Sequence, residues 1–322
     1  MSANIQLPAK RLRFPDNERD PALEAAFVYS ITSFPKPYLT YLLKDEHSGS
    51  EAEIVPERGG MLTRWRIQGE EILYMDEERF LDPSLTVRGG IPILFPICGN
   101  LPDNTYSHGG RSYTLKQHGF ARNLPWQVVD QDSGAEAGQA SLTLMLESDA
   151  QTLAAYPFEF TLLFSYQLRG RQLLLKQHIT NCSAENMPFS VGFHPYFNVS
   201  EAAKPQLQIQ IPAQELYDHL SQTSAPFTGT FDWTAPEIDV AFKTLTAQEA
   251  TVVDPVAGRK VTLTYDECFR TLVFWTVRGK PFFCLEPWTG PRNALISGEQ
   301  RIQLPPGDSL ETQFVLQVDA LN

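Results

Sequence analysis

The chain is poor in cysteine and has nothing that would pair the few it contains. Cys98, Cys182, Cys268 and Cys284 lie far apart, with no CxxC pair and no Cys/His cluster at zinc spacing, so they read as reduced, buried small hydrophobes rather than a disulfide framework or a metal centre. Long apolar runs are missing too. No stretch approaches the roughly 18 residues of a membrane span, and the opening MSANIQLPAKRLRFPDNERDP has no apolar core of the kind a signal peptide needs. The expectation is a cytoplasmic protein with no membrane partner. Basic charge is scarce: 26 Lys and Arg stand against 38 Asp and Glu, a net charge of -12, which argues against nucleic acid as a partner. An anionic small molecule stays compatible if a few arginines gather in one cleft. The signatures GxGxxG, GxxxxGK[ST], HExxH and GxSxG are absent, and with them the standard dinucleotide, triphosphate, zinc-peptidase and serine-hydrolase chemistries. Helical signals are few. DPALEAAF, with Asp20 as a cap and Pro21 at the first position, and the single turn DEERFL are the candidates.

What the chain does have is alternation of period two, from about residue 50 to the end. In FEFTLLFSYQL, Phe158, Phe160, Leu162, Phe164, Tyr166 and Leu168 alternate with Glu159, Thr161, Ser165 and Gln167. LQIQI, RKVTLTY, SLTLML and LETQFVLQV repeat the pattern, which suits antiparallel strands with one face on a core and one on water. With 24 prolines and 20 glycines punctuating short strands, the reading is all-β, a large antiparallel sandwich. Residues 1–20 read as an N-terminal tail or edge segment and 21–322 as one domain. QDSGAEAGQA, residues 131–140, reads as an exposed hairpin loop, and SHGG, residues 107–110, as a hairpin turn that gives His108 a turn role.

Polar chemistry concentrates in four short elements beside apolar and aromatic runs: VRGGIPILFP with Arg88, QHGFARNLPW with His118 and Arg122, VGFHPYF with His194, and FFCLEPW with Glu286. In FSVGFHPYF the alternation puts Phe189, Val191 and Phe193 on one face and His194 on the other with Ser190 and Gly192, which leaves room above the imidazole. A histidine on a solvated or core-satisfied strand face is the plainer alternative. Glu286 follows Phe283, Cys284 and Leu285 and precedes Pro287 and Trp288. Partial burial there would raise its pKa towards the range of a general base, whereas a strand end in water would leave it ordinary. Arg88, before two glycines, would either present its guanidinium to an oxygen-rich ligand or pair with a surface acid. Trp288, Trp126 and Phe120 are each candidates for stacking on a sugar and equally for the core.

IVPERGGMLTRWRIQGEEILY, RGGIPILFPICG, HGFARNLPW, FHPYF, PEIDVAF, LEPW and LPPGDSLETQF follow one another in an order that resembles the aldose 1-epimerase (mutarotase) family, near its hexose-6-phosphate mutarotase branch, over about residues 50–318. The resemblance implies a twisted antiparallel β-sandwich of the galactose mutarotase type with a sugar cleft. It implies His194 as general acid, Glu286 as general base, His118 as a supporting catalytic histidine, and Arg88, Arg122, Asp239 and Trp288 as substrate contacts. The reaction implied is anomer interconversion of a hexose, free or 6-phosphorylated, by ring opening and reclosure. It would run in a monomer or weak homodimer with no cofactor and no metal. Departures fall at ILFPICG and at RTLVFWTV, and they bear on phosphate specificity, for which Arg64, Arg66, Arg88 and Arg122 are the candidate anion clamp. A non-catalytic carbohydrate-binding protein on the same fold and a glycoside hydrolase or lyase are the alternatives; the second would need two carboxylates flanking the bond.

Overall fold

A computed structural model of the chain describes residues 29–35, 37–134 and 138–321. The expected tail at 1–20 and the expected helix begun by Asp20 lie outside the described residues. The described chain is built mainly from antiparallel strands in three larger sheets. The first runs in chain order through Tyr29–Pro35, Leu39–Asp45, Ser50–Val55, Met61–Ile67 and Glu70–Glu71. The second has eight strands, in the order Gln208–Gln210, Glu249–Asp254, Arg259–Tyr265, Ser309–Ala320, Gln172–Asn181, Phe160–Arg169, Ala140–Glu147 and Gln127–Asp132. The third orders Thr223–Pro226, Glu215–Asp218, Glu237–Phe242, Thr271–Val277, Phe282–Trp288, Gly192–Phe193 and Ile93–Leu94, with Tyr196–Asn198 also paired to Phe282–Trp288.

The alternation read from the sequence is the alternation that packs. Phe160, Leu162, Phe164, Tyr166 and Leu168 are all buried, while Leu163, Ser165 and Gln167 between them are only half-buried. Phe164 meets Phe193 and Phe193 meets Phe314 at ring-centroid distances of 5.8 and 4.6 Å, which joins the second and third sheets in one apolar cluster. Each such fully buried side chain contributes about 1.5–3 kcal/mol.

DEERFL forms its turn as Glu77–Leu81, with the Asp76 carboxylate accepting from the Arg79 N–H. His108 ends the strand Thr105–His108 and pairs with Arg111 across Gly109 and Gly110, the expected hairpin. Gln127–Asp132 and Ala140–Glu147 pair as antiparallel neighbours, and residues 135–137 of the loop expected between them lie outside the described residues. The cysteines need a correction. All four are free, and Cys98 and Cys284 are buried, but Cys268 is half-buried and Cys182 is exposed. Cys182 sits one residue past the strand Gln172–Asn181, where the chain leaves the sheet, and its thiol meets only the Thr161 hydroxyl at 3.7 Å among the hydrogen bonds described.

Candidate functional site

One face of the third sheet supplies the floor of a cavity. Along its strands Val240, Phe242, Leu272, Phe274, Phe283 and Leu285 belong to the main core. The alternate positions Asp239, Val273, Trp275, Glu286 and Trp288 line a cavity of about 490 Å³. Strand register sets these side chains in rows: Asp239 lies opposite Trp275, Val273 opposite Glu286, and Thr271 opposite Trp288. The walls come from Arg79 and residues 86–88, from Gln117, His118 and Arg122, and from His194, Tyr196, Glu237 and Arg292. The seven residues that the sequence offered as catalytic groups or substrate contacts, Arg88, His118, Arg122, His194, Asp239, Glu286 and Trp288, all line this one cavity.

His194 and Glu286 meet there, with His194 Nε2 3.4 Å from Glu286 Oε1. Both are shielded, at 8% and 1% exposure, so neither belongs to a solvated strand end. Burial pushes the Glu286 carboxyl well above the usual carboxylate range, and nearby Asp239 pushes it the same way, against the pull of Arg292, the Trp288 hydrogen bond and Arg122. Burial and the Arg122, Arg292 and Arg88 guanidinium groups push the His194 imidazole down to about 3. The pair therefore favours one proton resting on the carboxyl and a neutral ring. The alternative tautomer, carboxylate and imidazolium, holds the same number of protons and differs only by transfer across the 3.4 Å contact.

His118 stands beside this pair, its ring 5.5 Å from that of His194 and 5.6 Å from that of Trp288. It occupies a left-handed backbone position, φ 66°, and Gly119 follows at φ 70°. A Cβ on Gly119 would fall 2.1 Å from the Phe95 carbonyl oxygen, so only glycine fits there. The bend is held at two points: the His118 N–H donates to the Gly99 carbonyl at 2.6 Å, and the Gly99 N–H donates to His118 Nδ1 at 3.0 Å. Accepting at Nδ1 fixes the proton on Nε2. Burial, Arg122, His194 and Arg292 hold the ring neutral. Arg122 follows on a short turn and donates to the Gln117 carbonyl at 2.9 Å, while its Nε has no partner.

Asp239 accepts from Arg292 at 2.7 Å through Oδ2, and its Oδ1 is buried without a partner. Burial is the main cause raising its pKa, with Arg292 opposing. Trp288 donates from its indole nitrogen to Glu286 Oε2 at 3.2 Å. At 1% exposure, with its ring packed on Gly192, it holds the carboxyl rather than offering an open aromatic face. That face belongs to Trp275, which is half-buried, donates to Glu237 at 2.7 Å and lies 5.8 Å beneath the Arg88 guanidinium. Trp126 and Phe120 pack on the core instead.

Arg64 and Arg66 do not join the cavity. Arg64 pairs with Glu53, Glu71 and Glu77, and Arg66 with Glu51, Glu53 and Glu71, because alternation on the strand Met61–Ile67 points both at the glutamates of neighbouring strands and, for Arg64, at the start of the turn Glu77–Leu81. The arginines that do line the cavity are Arg79, Arg88, Arg122 and Arg292. Arg79, Arg292, Tyr196, Glu237 and Trp275 were not among the residues expected from sequence. In RTLVFWTV a strand puts the adjacent Phe274 and Trp275 on opposite faces, and that is the signal that could have found Trp275. The lip that carries Arg79 and Arg88 is tied down by Arg58, whose buried guanidinium donates to the carbonyls of Phe80, Arg79, Asp82 and Leu85 at 2.8–3.2 Å.

The aldose 1-epimerase family profile matches residues 40–317. A protein of solved structure from Synechocystis sp. PCC 6803 is 47% identical, with a TM-score of 0.85, covering 91% of this chain and 99% of that one. A galactose mutarotase-like protein from Clostridium acetobutylicum shares the fold at 21% identity and a TM-score of 0.76, with 91% and 99% covered. The LacX protein of Lactococcus lactis is 27% identical over 289 residues, 81% of this chain and 91% of that one. A protein of Cenchrus ciliaris provisionally named a glucose-6-phosphate 1-epimerase is 33% identical over 176 residues, 52% of this chain and 48% of its own length.

Proposed function

Because the chain belongs to the aldose 1-epimerase family, a family of sugar isomerases, we propose that its cavity interconverts the α and β anomers of a hexose by acid–base ring opening, with Glu286 and His194 exchanging protons with the hemiacetal. The observation that carries this reading is the buried contact between the two side chains. With the pair as carboxylate and imidazolium, Glu286 takes the proton from the anomeric hydroxyl and His194 gives one to the ring oxygen. The C1–O5 bond breaks and the free aldehyde forms. Glu286 is then protonated and His194 neutral, the arrangement that burial favours in the free site. Rotation about C1–C2 turns the other carbonyl face to the C5 hydroxyl. On reclosure His194 takes the C5 hydroxyl proton, Glu286 returns its proton to O1, and the starting tautomer is restored. Each proton transfer contributes about 10²–10⁴-fold.

His118 Nε2–H is a neutral donor for a sugar hydroxyl, the free Asp239 Oδ1 an acceptor, and Trp275 an apolar platform. Four cavity arginines in a chain of net charge -12 favour a phosphorylated hexose, with Arg79 and Arg88 of the lip meeting the phosphate. The provisional name of the Cenchrus ciliaris relative points the same way.

The test is the anomerisation rate of freshly dissolved α-glucose and of α-glucose 6-phosphate, with Glu286→Gln and Arg88→Met beside the unaltered protein. Glu286→Gln should lose about 10²–10⁴-fold with either sugar, and Arg88→Met should lose kcat/KM for the phosphate ester only. Equal rates with unaltered protein and Glu286→Gln would remove the mechanism. Equal loss for both sugars in Arg88→Met would remove the phosphate preference alone.

A further inference from the structure

Beneath the floor of the cavity lies a third side chain able to ligate a metal, a buried thiol that the ring-opening chemistry does not use. Cys284 lies two residues before Glu286 on the strand Phe282–Trp288 and shares its face, opposite Trp275 on one side and Tyr196 on the other. One ligand atom each from His194, Cys284 and Glu286 lie within 4.8 Å of one another, and all three residues are buried.

We propose that His194, Cys284 and Glu286 form an inhibitory binding site for a zinc-class divalent cation. Imidazole nitrogen, thiolate sulfur and carboxylate oxygen are the donors such a cation selects, whereas magnesium and calcium call for oxygen alone. Bond lengths of about 2.0–2.3 Å around a tetrahedral ion set its ligands about 3.3–3.8 Å apart. The His194–Glu286 contact already has that spacing at 3.4 Å. The widest of the three separations closes by about 1 Å. Binding forms one bond from each donor to the metal and releases the Cys284 thiol proton and the proton shared by the other two. A fourth position remains for water.

The cation would bridge the two groups that must act on opposite sides of the hemiacetal, so occupancy by metal and by sugar exclude each other. The site also lacks what would make it a resident centre. A ligating histidine usually fixes its second nitrogen on a carboxylate or carbonyl, but His194 Nδ1 is buried without a partner. Arg122 and Arg292, which face the pair, oppose a cation further. Reversible inhibition follows, rather than a structural or catalytic role.

The inference rests on the epimerase reading only for its effect on turnover, so binding is measured separately. Zinc ion alone is titrated against a chromophoric chelator with unaltered protein, Cys284→Ser and Cys284→Ala, and anomerisation is followed in the same solutions, with magnesium as control and a chelator added last. The expected result is one zinc ion per chain in unaltered protein, inhibition restored by chelator and relieved by raising sugar concentration, and no effect of magnesium. Both variants should keep their uninhibited turnover and need at least tenfold more zinc for the same inhibition. Zinc affinity unchanged in Cys284→Ser and Cys284→Ala, or zinc bound without competition from sugar, would overturn the site. Zinc bound as expected by a protein that turns over no sugar would leave the site standing and sink the epimerase reading.

Discussion

The indole of Trp288 is the side chain through which the strand Phe282–Trp288 governs its own carboxylate. Its N–H donates to Glu286 Oε2 and lowers a pKa that burial raises. Trp288→Phe keeps an aromatic ring on Gly192 but removes that donor. A hydrogen bond to a charged acceptor contributes about 1.5–3 kcal/mol, and this one strengthens as the carboxylate forms, so kcat should fall about 10–100-fold with KM little changed. The limb of the rate profile that reports carboxyl ionisation should move to higher pH. Stopped-flow anomerisation across pH checks both; an unchanged profile with a lowered rate would assign Trp288 to packing alone. Residues of this kind divide by how far their partner lies in sequence. Glu286 and Trp288 are two apart, and the apolar run around them offered a partly buried carboxylate as one of two readings, a strand end in water being the other. Arg292 meets Asp239 across 53 positions, from a segment, GPRNALIS, without a distinguishing pattern, and nothing in one sequence indicates that meeting.

Among the elements, the lip Glu77–Arg88 is the one whose role exceeds its local structure. Its single helical turn was legible in DEERFL, because Asp76 is a capping residue with two glutamates behind it. Its place over the cavity was not, since that depends on Arg58, an arginine bonded to four main-chain carbonyls from a different strand pair. Arg58→Met takes the guanidinium donor from all four carbonyls, of which that of Asp82 keeps the Leu85 N–H, and should lower stability by about 2–4 kcal/mol, read as a drop in Tm. It should also raise KM more for a phosphorylated than for a neutral hexose, because Arg79 and Arg88 ride on the freed segment. Equal KM changes would make the clamp purely structural. The strands were legible for a plain reason: each of the larger sheets puts one face on the core, and a half-buried strand writes that asymmetry into alternate residues. Their order in the sheets was not, as Ser309–Ala320 lying between Arg259–Tyr265 and Gln172–Asn181 shows. The bend at His118 and Gly119 belongs to the same scale. Gly119→Ala forces a Cβ onto the Phe95 carbonyl at a positive φ and should abolish both turnover and cooperative unfolding.

For the whole molecule, the proton held between His194 and Glu286 has a consequence that reaches beyond the cavity. Where burial holds the His194 pKa down and the Glu286 pKa up, the folded pair keeps one proton between them. Unfolded, they titrate near their ordinary values of 6.5 and 4.5. Above pH 6.5 the unfolded chain therefore holds no proton on these groups and the folded chain one, so stability falls as pH rises, by ~1.4 kcal/mol per pH unit. Between 4.5 and 6.5 each state holds one and the pair contributes no slope. Below 4.5 the unfolded chain holds two and stability falls again as pH falls. Glu286→Gln breaks this compensation. With only a neutral buried imidazole left, the variant has no slope from the site above pH 6.5 and loses stability below it. Relative to the unaltered protein it should gain ~1.4 kcal/mol per pH unit on going up from about pH 4.5, until the folded Glu286 carboxyl itself ionises. His118, also neutral and buried, adds the same acid slope to both proteins and cancels in the comparison. Urea unfolding of the two proteins at about pH 5, 6, 7 and 8 measures the difference directly. Parallel stability curves would mean that the imidazole and carboxyl do not share a proton, and the tautomer exchange proposed for the sugar reaction would fail with it.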